Sequence, residues 1–386
     1  MRSECPVCSS KESHSFFESA PMPVQASELI YDRAAALTAP LASIELVACP
    51  GCGLIYNRKF DPALVTYDDS YDNALHFSPR FQEYQSDLVD RLVDRYRLNG
   101  RRILEVGCGD GEFLCRLCEK GHNSGIGFDP ACGHRVTPEG VELIAEYYSP
   151  SAVAGKCEDF VCCRHVLEHV DAPLDFLRSI RDGTGSASSV PAYFEVPNSQ
   201  RMLEQGALWE LIYEHFSYYT PASLGALLQR AGFEIESLTE EYEGQFLSAF
   251  TEADCSKECA AFLPANADTQ DLMATFGELA NRRLSSWQDT VQRLLDDGRQ
   301  TAVWGAGAKG VTFLNLVPAA RHIETVIDVN PRKHESFVPG SGHRVTGPAE
   351  LQKAPPDTVL LMNGIYYEEV QRSLSDLGVN AELIVA

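Results

Sequence analysis

Short apolar runs alternate with stretches whose apolar positions recur every three or four residues. This is the pattern of strands and amphipathic helices taking turns. Strand candidates fall at 102–106, 124–129, 141–146, 159–164, 192–196, 233–239 and 246–251, the last pair placed as a hairpin. Ahead of them, residues 81–98 carry apolar side chains at 81, 84, 88, 92 and 96, which predicts a helix with one buried face. The alternation predicts an α/β fold with a seven-stranded sheet. A second α/β unit is announced further on. Residues 271–297 read as a helix with Leu284, Trp287, Val291 and Leu294 on one face, followed by strands at 301–304 and 325–328. Gly183 to Ser189 is a loop of small residues without evident chemistry.

The first strand runs into Glu105-Val106-Gly107-Cys108-Gly109-Asp110-Gly111, and a helix is expected from Glu112. Glycines at 107, 109 and 111 let backbone approach a ligand because no Cβ intervenes. Such a turn lies beyond the carboxyl end of the first strand of a nucleotide-binding sheet. Its acidity (Glu105, Asp110) suits a cofactor with an amino-acid end and a sulfonium better than a pyrophosphate. The next strand ends on Asp129, placed for ribose hydroxyls. The set resembles the S-adenosylmethionine site of a class I methyltransferase.

Cys5-Pro6-Val7-Cys8 and Cys49-Pro50-Gly51-Cys52 are paired C-x-x-C knuckles. Each knuckle puts two thiolates on one tight turn, and two knuckles make the tetrahedral shell that Zn2+ favours. Four protein ligands leave no open position, so the ion is expected to be structural. Almost no Lys or Arg lies between the knuckles, which argues against a nucleic-acid-binding ribbon. Cys115 and Cys118 read as core residues of the helix after the glycine turn. Cys162 and Cys163 read as strand core, and Cys255 and Cys259 are given no function.

A chain of 386 residues with 44% hydrophobic composition suggests two or three domains. No apolar run is long enough to cross a membrane, and the N-terminal residues lack a signal-peptide core. A formal charge of −23 excludes non-specific nucleic-acid binding, so an anionic substrate would need a local basic pocket. Thirteen cysteines, an odd number, fit the reducing cytoplasm.

Two segments carry candidate acceptor chemistry. Phe160-Val161-Cys162-Cys163-Arg164 leads into His165-Val166-Leu167-Glu168-His169, where the fourth strand ends near both cofactor and acceptor. There His165 is a candidate for the reacting centre and His169 for holding the turn. Tyr213-Glu214-His215-Phe216-Ser217-Tyr218-Tyr219 packs ionisable and aromatic groups between the fifth strand and a helix from Pro221. Methylating carbon requires a base to remove a C–H proton and a donor to steady the enolate oxygen. Histidine and tyrosine supply these two functions.

The motifs CPVC, CPGCG, EVGCGDG, CRHVLEH, VPN, YEHFSYY and VWGAGAKG, in this order, resemble the sugar C-methyltransferases of deoxysugar and antibiotic biosynthesis. That resemblance implies S-adenosylmethionine-dependent methylation of carbon 3 in a dTDP-linked 4-keto-6-deoxy sugar. It implies that His215 takes the carbon 3 proton, with Tyr213 or His165 as donor, Glu214 in the same pocket, and Tyr71 near the sugar on a lid. It also implies three parts: a zinc module with lid over 1–75, a methyltransferase domain over 76–254, and a helical linker with a Rossmann-like cover over 255–386. Adjacent residues in regular structure point differently, so Glu214 and His215 are not expected to form a dyad.

Gly305-Ala306-Gly307-Ala308-Lys309-Gly310, with Asp328 ending the following strand, would alone suggest NAD and a sugar oxidoreductase. About ninety remaining residues are few for a full dinucleotide domain. Lys309, Arg332 and Lys333 are the cations to test against a substrate diphosphate. The other rivals are an O- or N-methyltransferase and a non-enzymatic zinc-ribbon protein.

Overall fold

The computed structural model describes residues 4–133, 136–153, 159–184, 189–253 and 267–386. Cys255 and Cys259 lie outside them, as does most of the Gly183–Ser189 loop.

In the N-terminal part, β1 (His14–Glu18) pairs antiparallel with β4 (Glu45–Ala48), which pairs with β5 (Ile55–Asn57). A small ribbon of β2 (Met22–Pro23) and β3 (Leu41–Ala42) brackets the short helix α1 (Arg33–Leu37). The cysteine knuckles occupy the turns before β1 and between β4 and β5.

The central part begins with α2 (Pro79–Tyr96), capped by Ser78, whose side chain accepts from the Phe81 amide. Its apolar stripe buries Phe81, Leu88, Val89, Leu92 and Val93 against the sheet layer. There follow β6 (Arg102–Val106), α3 (Glu112–Gly121), β7 (Ser124–Phe128), β8 (Val141–Ile144), β9 (Phe160–Arg164), α4 (Pro173–Gly183) and β10 (Val190–Pro197). After α5 (Ser199–Gln205) comes the two-residue strand β11 (Ser217–Tyr218), then α6 (Pro221–Ala231), β12 (Phe233–Glu241) and β13 (Phe246–Ala253). The seven-stranded sheet has the order β12-β13-β10-β9-β6-β7-β8, parallel except for β13. All seven strand segments expected from the pattern are present. The order reverses at β6, whose carboxyl end therefore opens onto a crevice.

β11 does not join that sheet. It pairs antiparallel with β5, Ser217 opposite Tyr56, as the outer strand of the N-terminal sheet. The cysteine-bearing module thus grips the chain immediately after His215.

The last part starts with α7 (Ala267–Asp296), where Phe276 packs edge-on against Phe16 and Phe17 of β1. A five-stranded parallel sheet follows, built from β14 (Thr301–Trp304), β15 (Thr325–Ile327), β16 (Val345–Thr346), β17 (Thr358–Leu361) and β18 (Glu382–Val385) in the order β16-β15-β14-β17-β18. Helices α8 (Ala308–Leu316) and α9 (Tyr367–Asp376) cover it. One hydrophobic core runs through all three parts, joining Met22, Leu203, Trp209, Phe276 and Phe313. Among the described residues no helix is long and apolar enough to cross a membrane.

Candidate active site

At the end of β6 the chain turns through three left-handed glycines, with φ of +74° at Gly107, +53° at Gly109 and +78° at Gly111. A Cβ on Gly107 would sit 2.0 Å from Val166 Cγ2, so this glycine admits the loop that follows β9. A Cβ on Gly109 would meet nothing within 4 Å, because that face is open space. Gly111 starts α3 and packs on Leu143, and it does not line the crevice. Asp129 accepts from the Gly109 amide at 3.0 Å and the Ala131 amide at 2.8 Å.

The crevice, about 310 Å³, is lined at this end by Glu105, Gly107, Gly109, Asp110 and Asp129. Glu105 is buried, and its Oε2 has no partner. Burial pushes its carboxyl up to about 8 despite the pull of Arg164. A buried acid with one unpartnered oxygen, open space at Gly109 and two further carboxylates fit a cofactor that carries cationic sulfonium and ammonium groups with a ribose.

The other end of the crevice is lined by Tyr71, His165, Glu168 and His215. His165 has φ of +55°, a left-handed backbone costly for a residue with a Cβ, and the fold over-determines it. Its amide donates to the Glu195 carbonyl at 2.8 Å, and its Nε2 stands 2.9 Å from Glu195 Oε1. Glu195 is fully buried and accepts from Arg164 at 3.0 and 3.1 Å and from the hydroxyls of Tyr193 and Tyr84. Burial alone would raise its carboxyl, but Arg164 and His165 hold it far below the carboxylate range.

The His215 imidazole lies edge-on to His169, ring centres 4.8 Å apart, and its ligand atoms fall within 4.8 Å of those of His169 and Glu168. Burial, then His169 and His165, lowers it well below the usual imidazole range. His169 Nδ1 lies 2.8 Å from Tyr67 Oη and 3.1 Å from the Glu214 carbonyl, which can accept its proton, and these contacts pin the turn. Tyr71, on the segment between β5 and α2, lines the same crevice, its ring 5.0 Å from that of Tyr67.

Two expectations need correction. The Tyr213 hydroxyl donates to the Lys59 carbonyl at 3.1 Å and accepts from the Asp61 amide at 3.1 Å, and its ring stacks on Phe60. It faces the N-terminal module and does not line the crevice, because β5 and β11 pair there. Glu214, expected in the same pocket, likewise does not line the crevice. Its Oε2 accepts from the Ala26 amide at 3.1 Å, and burial raises its carboxyl to about 7. Glu168 and Glu195 were assigned no role from sequence. Glu168 lies within the CRHVLEH motif, whereas only the register of β10 against β9 brings Glu195 to Arg164.

A second cavity of about 230 Å³ adjoins the crevice, with Asn73, Leu75, Ile212 and Phe246 common to both. Its far wall is the turn Gly305–Gly310 with Lys309 and Lys333. Lys309 is paired with Glu210 at 2.9 Å, and Lys333 Nζ lies 3.3 Å from the Ala306 carbonyl. Arg332 is elsewhere. It pairs with Asp72 at 2.9 Å and reaches Asp110 of the glycine turn at 3.4 Å, over the Phe77 ring.

In the N-terminal module the sulfurs of Cys5, Cys8, Cys49 and Cys52 all lie within 4.8 Å of one another, Cys5 to Cys52 at 3.5 Å and Cys8 to Cys49 at 3.4 Å. All four thiols are free of disulfides. The donor set and its closeness fit a tetrahedral zinc.

Residues 78–238 match the family described as a methyltransferase domain, and residues 255–386 match the C-methyltransferase C-terminal domain. The C-methyltransferase NovU of Streptomyces niveus is 23% identical over 389 aligned residues, covering 95% of this chain and 91% of that protein. The chain is an S-adenosylmethionine-dependent C-methyltransferase. This C-methyltransferase also resembles, over 39% of its length, the ubiquinone biosynthesis O-methyltransferase of Aeromonas salmonicida, 28% identical and covered over 71%. A methyltransferase structure from Aquifex aeolicus aligns with 43% of the C-methyltransferase and 89% of that chain, at 15% identity and a TM-score of 0.35.

Proposed function

We propose that the enzyme methylates the carbon next to the ketone, carbon 3, of a nucleotide-linked 4-keto-deoxy sugar, with dTDP as the carrier. The observation that carries this reading is a buried imidazole, His215, at the acceptor end of the crevice, edge-on to His169. Held neutral by burial, it keeps its lone pair at physiological pH and accepts the proton next to the carbonyl. The resulting enolate carbon is the nucleophile that C-methylation needs. S-adenosylmethionine, when bound, supplies an electrophilic methyl group on a sulfonium. Glu105, Gly107, Gly109, Asp110 and Asp129 would hold that cofactor, with Gly111 shaping the turn from behind. The second cavity would take the nucleotide, with Lys309 and Lys333 toward the diphosphate. Tyr71 and His165 would face the sugar, and Glu214 would anchor the segment that bears the base. Structural Zn2+ on Cys5, Cys8, Cys49 and Cys52 completes the assignment. The free thiols support a cytoplasmic enzyme.

The test uses methyl-labelled S-adenosylmethionine and a panel of nucleotide-linked 4-keto sugars in heavy water, read by mass spectrometry. Carbon-bound label with deuterium entering the neighbouring position is expected. Label on oxygen or nitrogen would refute the enolate route. His215→Asn should abolish both transfer and exchange, by about 10²–10⁴-fold, while S-adenosylhomocysteine still binds. Because His215 titrates well below 6.5, turnover should persist to more acidic pH than a free imidazole would allow.

A further inference from the structure

An enolate route needs an acid near the carbonyl oxygen as well as a base near the carbon. The two must stand a few ångströms apart, because the C–H and C=O they serve are on neighbouring atoms. With Tyr213 turned toward Lys59, the crevice needs another donor. Glu168 lines the crevice, is 2% exposed, and its Oε2 has no hydrogen-bond partner. It lies within 4.8 Å of the base, His215. Its Oε1 is 3.8 Å from His165 Nδ1, too far for a hydrogen bond.

We infer that Glu168 is a catalytic residue of this transferase, an acid whose O–H donates to the enolate oxygen while His215 holds the proton taken from carbon. The inference rests on the enolate reading above. The C–H bond breaks toward a His215 ring nitrogen, and its electron pair forms the C=C bond. The carbonyl π pair moves onto oxygen, where the Glu168 O–H meets it. The enolate pair then forms the new C–C bond while the methyl–sulfur bond of S-adenosylmethionine would break, its pair staying on the sulfur of S-adenosylhomocysteine; the carbonyl reforms, Glu168 keeps its proton, and His215 releases one proton to solvent.

Groups facing Glu168 support the neutral acid. His165 and His169 flank it on its own turn, and His215 and Tyr219 face it from the segment before α6. Tyr67 and Tyr71 approach from the lid, Cys163 from β9 and Glu195 from β10. Burial raises its carboxyl to about 8, with its own backbone amide pulling down and Glu195 adding to the rise.

Infrared difference spectra of wild type against Glu168→Gln at pH 6.5 should show a neutral carboxylic-acid carbonyl band lost in the variant. With the keto-sugar panel, wild-type turnover should fall as pH rises through about 8. Glu168→Gln, which keeps an N–H donor, should lose that alkaline limb and retain measurable turnover. Glu168→Ala should lower kcat by about 10²–10³-fold, with deuterium exchange falling in parallel and S-adenosylhomocysteine binding unchanged. Absence of the infrared band, an alkaline limb unchanged in Glu168→Gln, or wild-type kcat in Glu168→Ala would each overturn the assignment. Failure of wild type itself to label carbon refutes the enolate reading instead, and Glu168 with it.

Discussion

Gly107 shows how one missing Cβ can decide a site. Its φ of +74° and the 2.0 Å approach of Val166 mean that Gly107→Ala must strain the turn and push away the loop bearing His165 and Glu168. The left-handed conformation alone costs about 1–2 kcal/mol. The expected outcome is loss of S-adenosylhomocysteine binding by calorimetry in a protein that still melts cooperatively, and unchanged binding would contradict it. The glycine, Asp129 and four cysteines could be read directly because their chemistry lies in short fixed spacings. Tyr213 could not, since its direction depends on which strand its neighbour joins. Glu214 and His215 are adjacent, yet one meets Ala26 and the other the crevice. Glu195 was invisible because only strand register makes it a partner of Arg164 and His165.

Among elements, β11 is one that the hydrophobic pattern did not announce. Two residues give too little periodicity to read, and the partner strand β5 is remote in sequence. The seven sheet strands announced themselves as short apolar or alternating runs between helical stretches. The pairing of β11 with β5 places the cysteine module against the segment carrying the base. Zinc analysis should give one ion per chain. Cys52→Ser should lose it and reduce kcat by at least about 10-fold through displacement of His215. Affinity for S-adenosylhomocysteine, bound at the far end of the crevice, should change far less. A variant with normal kcat and no metal would disconnect the module from the chemistry.

For the whole molecule the decisive quantity is buried acid. Glu105, Glu168 and Glu214 are each held protonated well above the carboxylate range, at about 8, 8 and 7. The folded state therefore binds protons that the unfolded chain has released. Stability falls as pH rises through these values, by about 1.4 kcal/mol per pH unit for each such proton. His169, lowered to about 4, and His215 act in the opposite sense, and their contribution is lost as pH falls below 6.5. Between pH 6.5 and 8 the acids act alone, so the melting temperature should decline there. Glu168→Gln should flatten the decline, and a flat wild-type profile would contradict the assignment. This balance was hidden from composition, since a charge of −23 does not say which carboxylates are buried.

The bond between β11 and β5 also governs time. Tyr56 and Ser217 meet across about 160 residues of chain, whereas β6 and β7 are local neighbours. Contacts that close long loops form slowly. The cofactor turn should therefore be complete in refolding molecules before the general base is seated. A chain diluted from denaturant would bind S-adenosylhomocysteine first and become an enzyme only when β5 and β11 find each other.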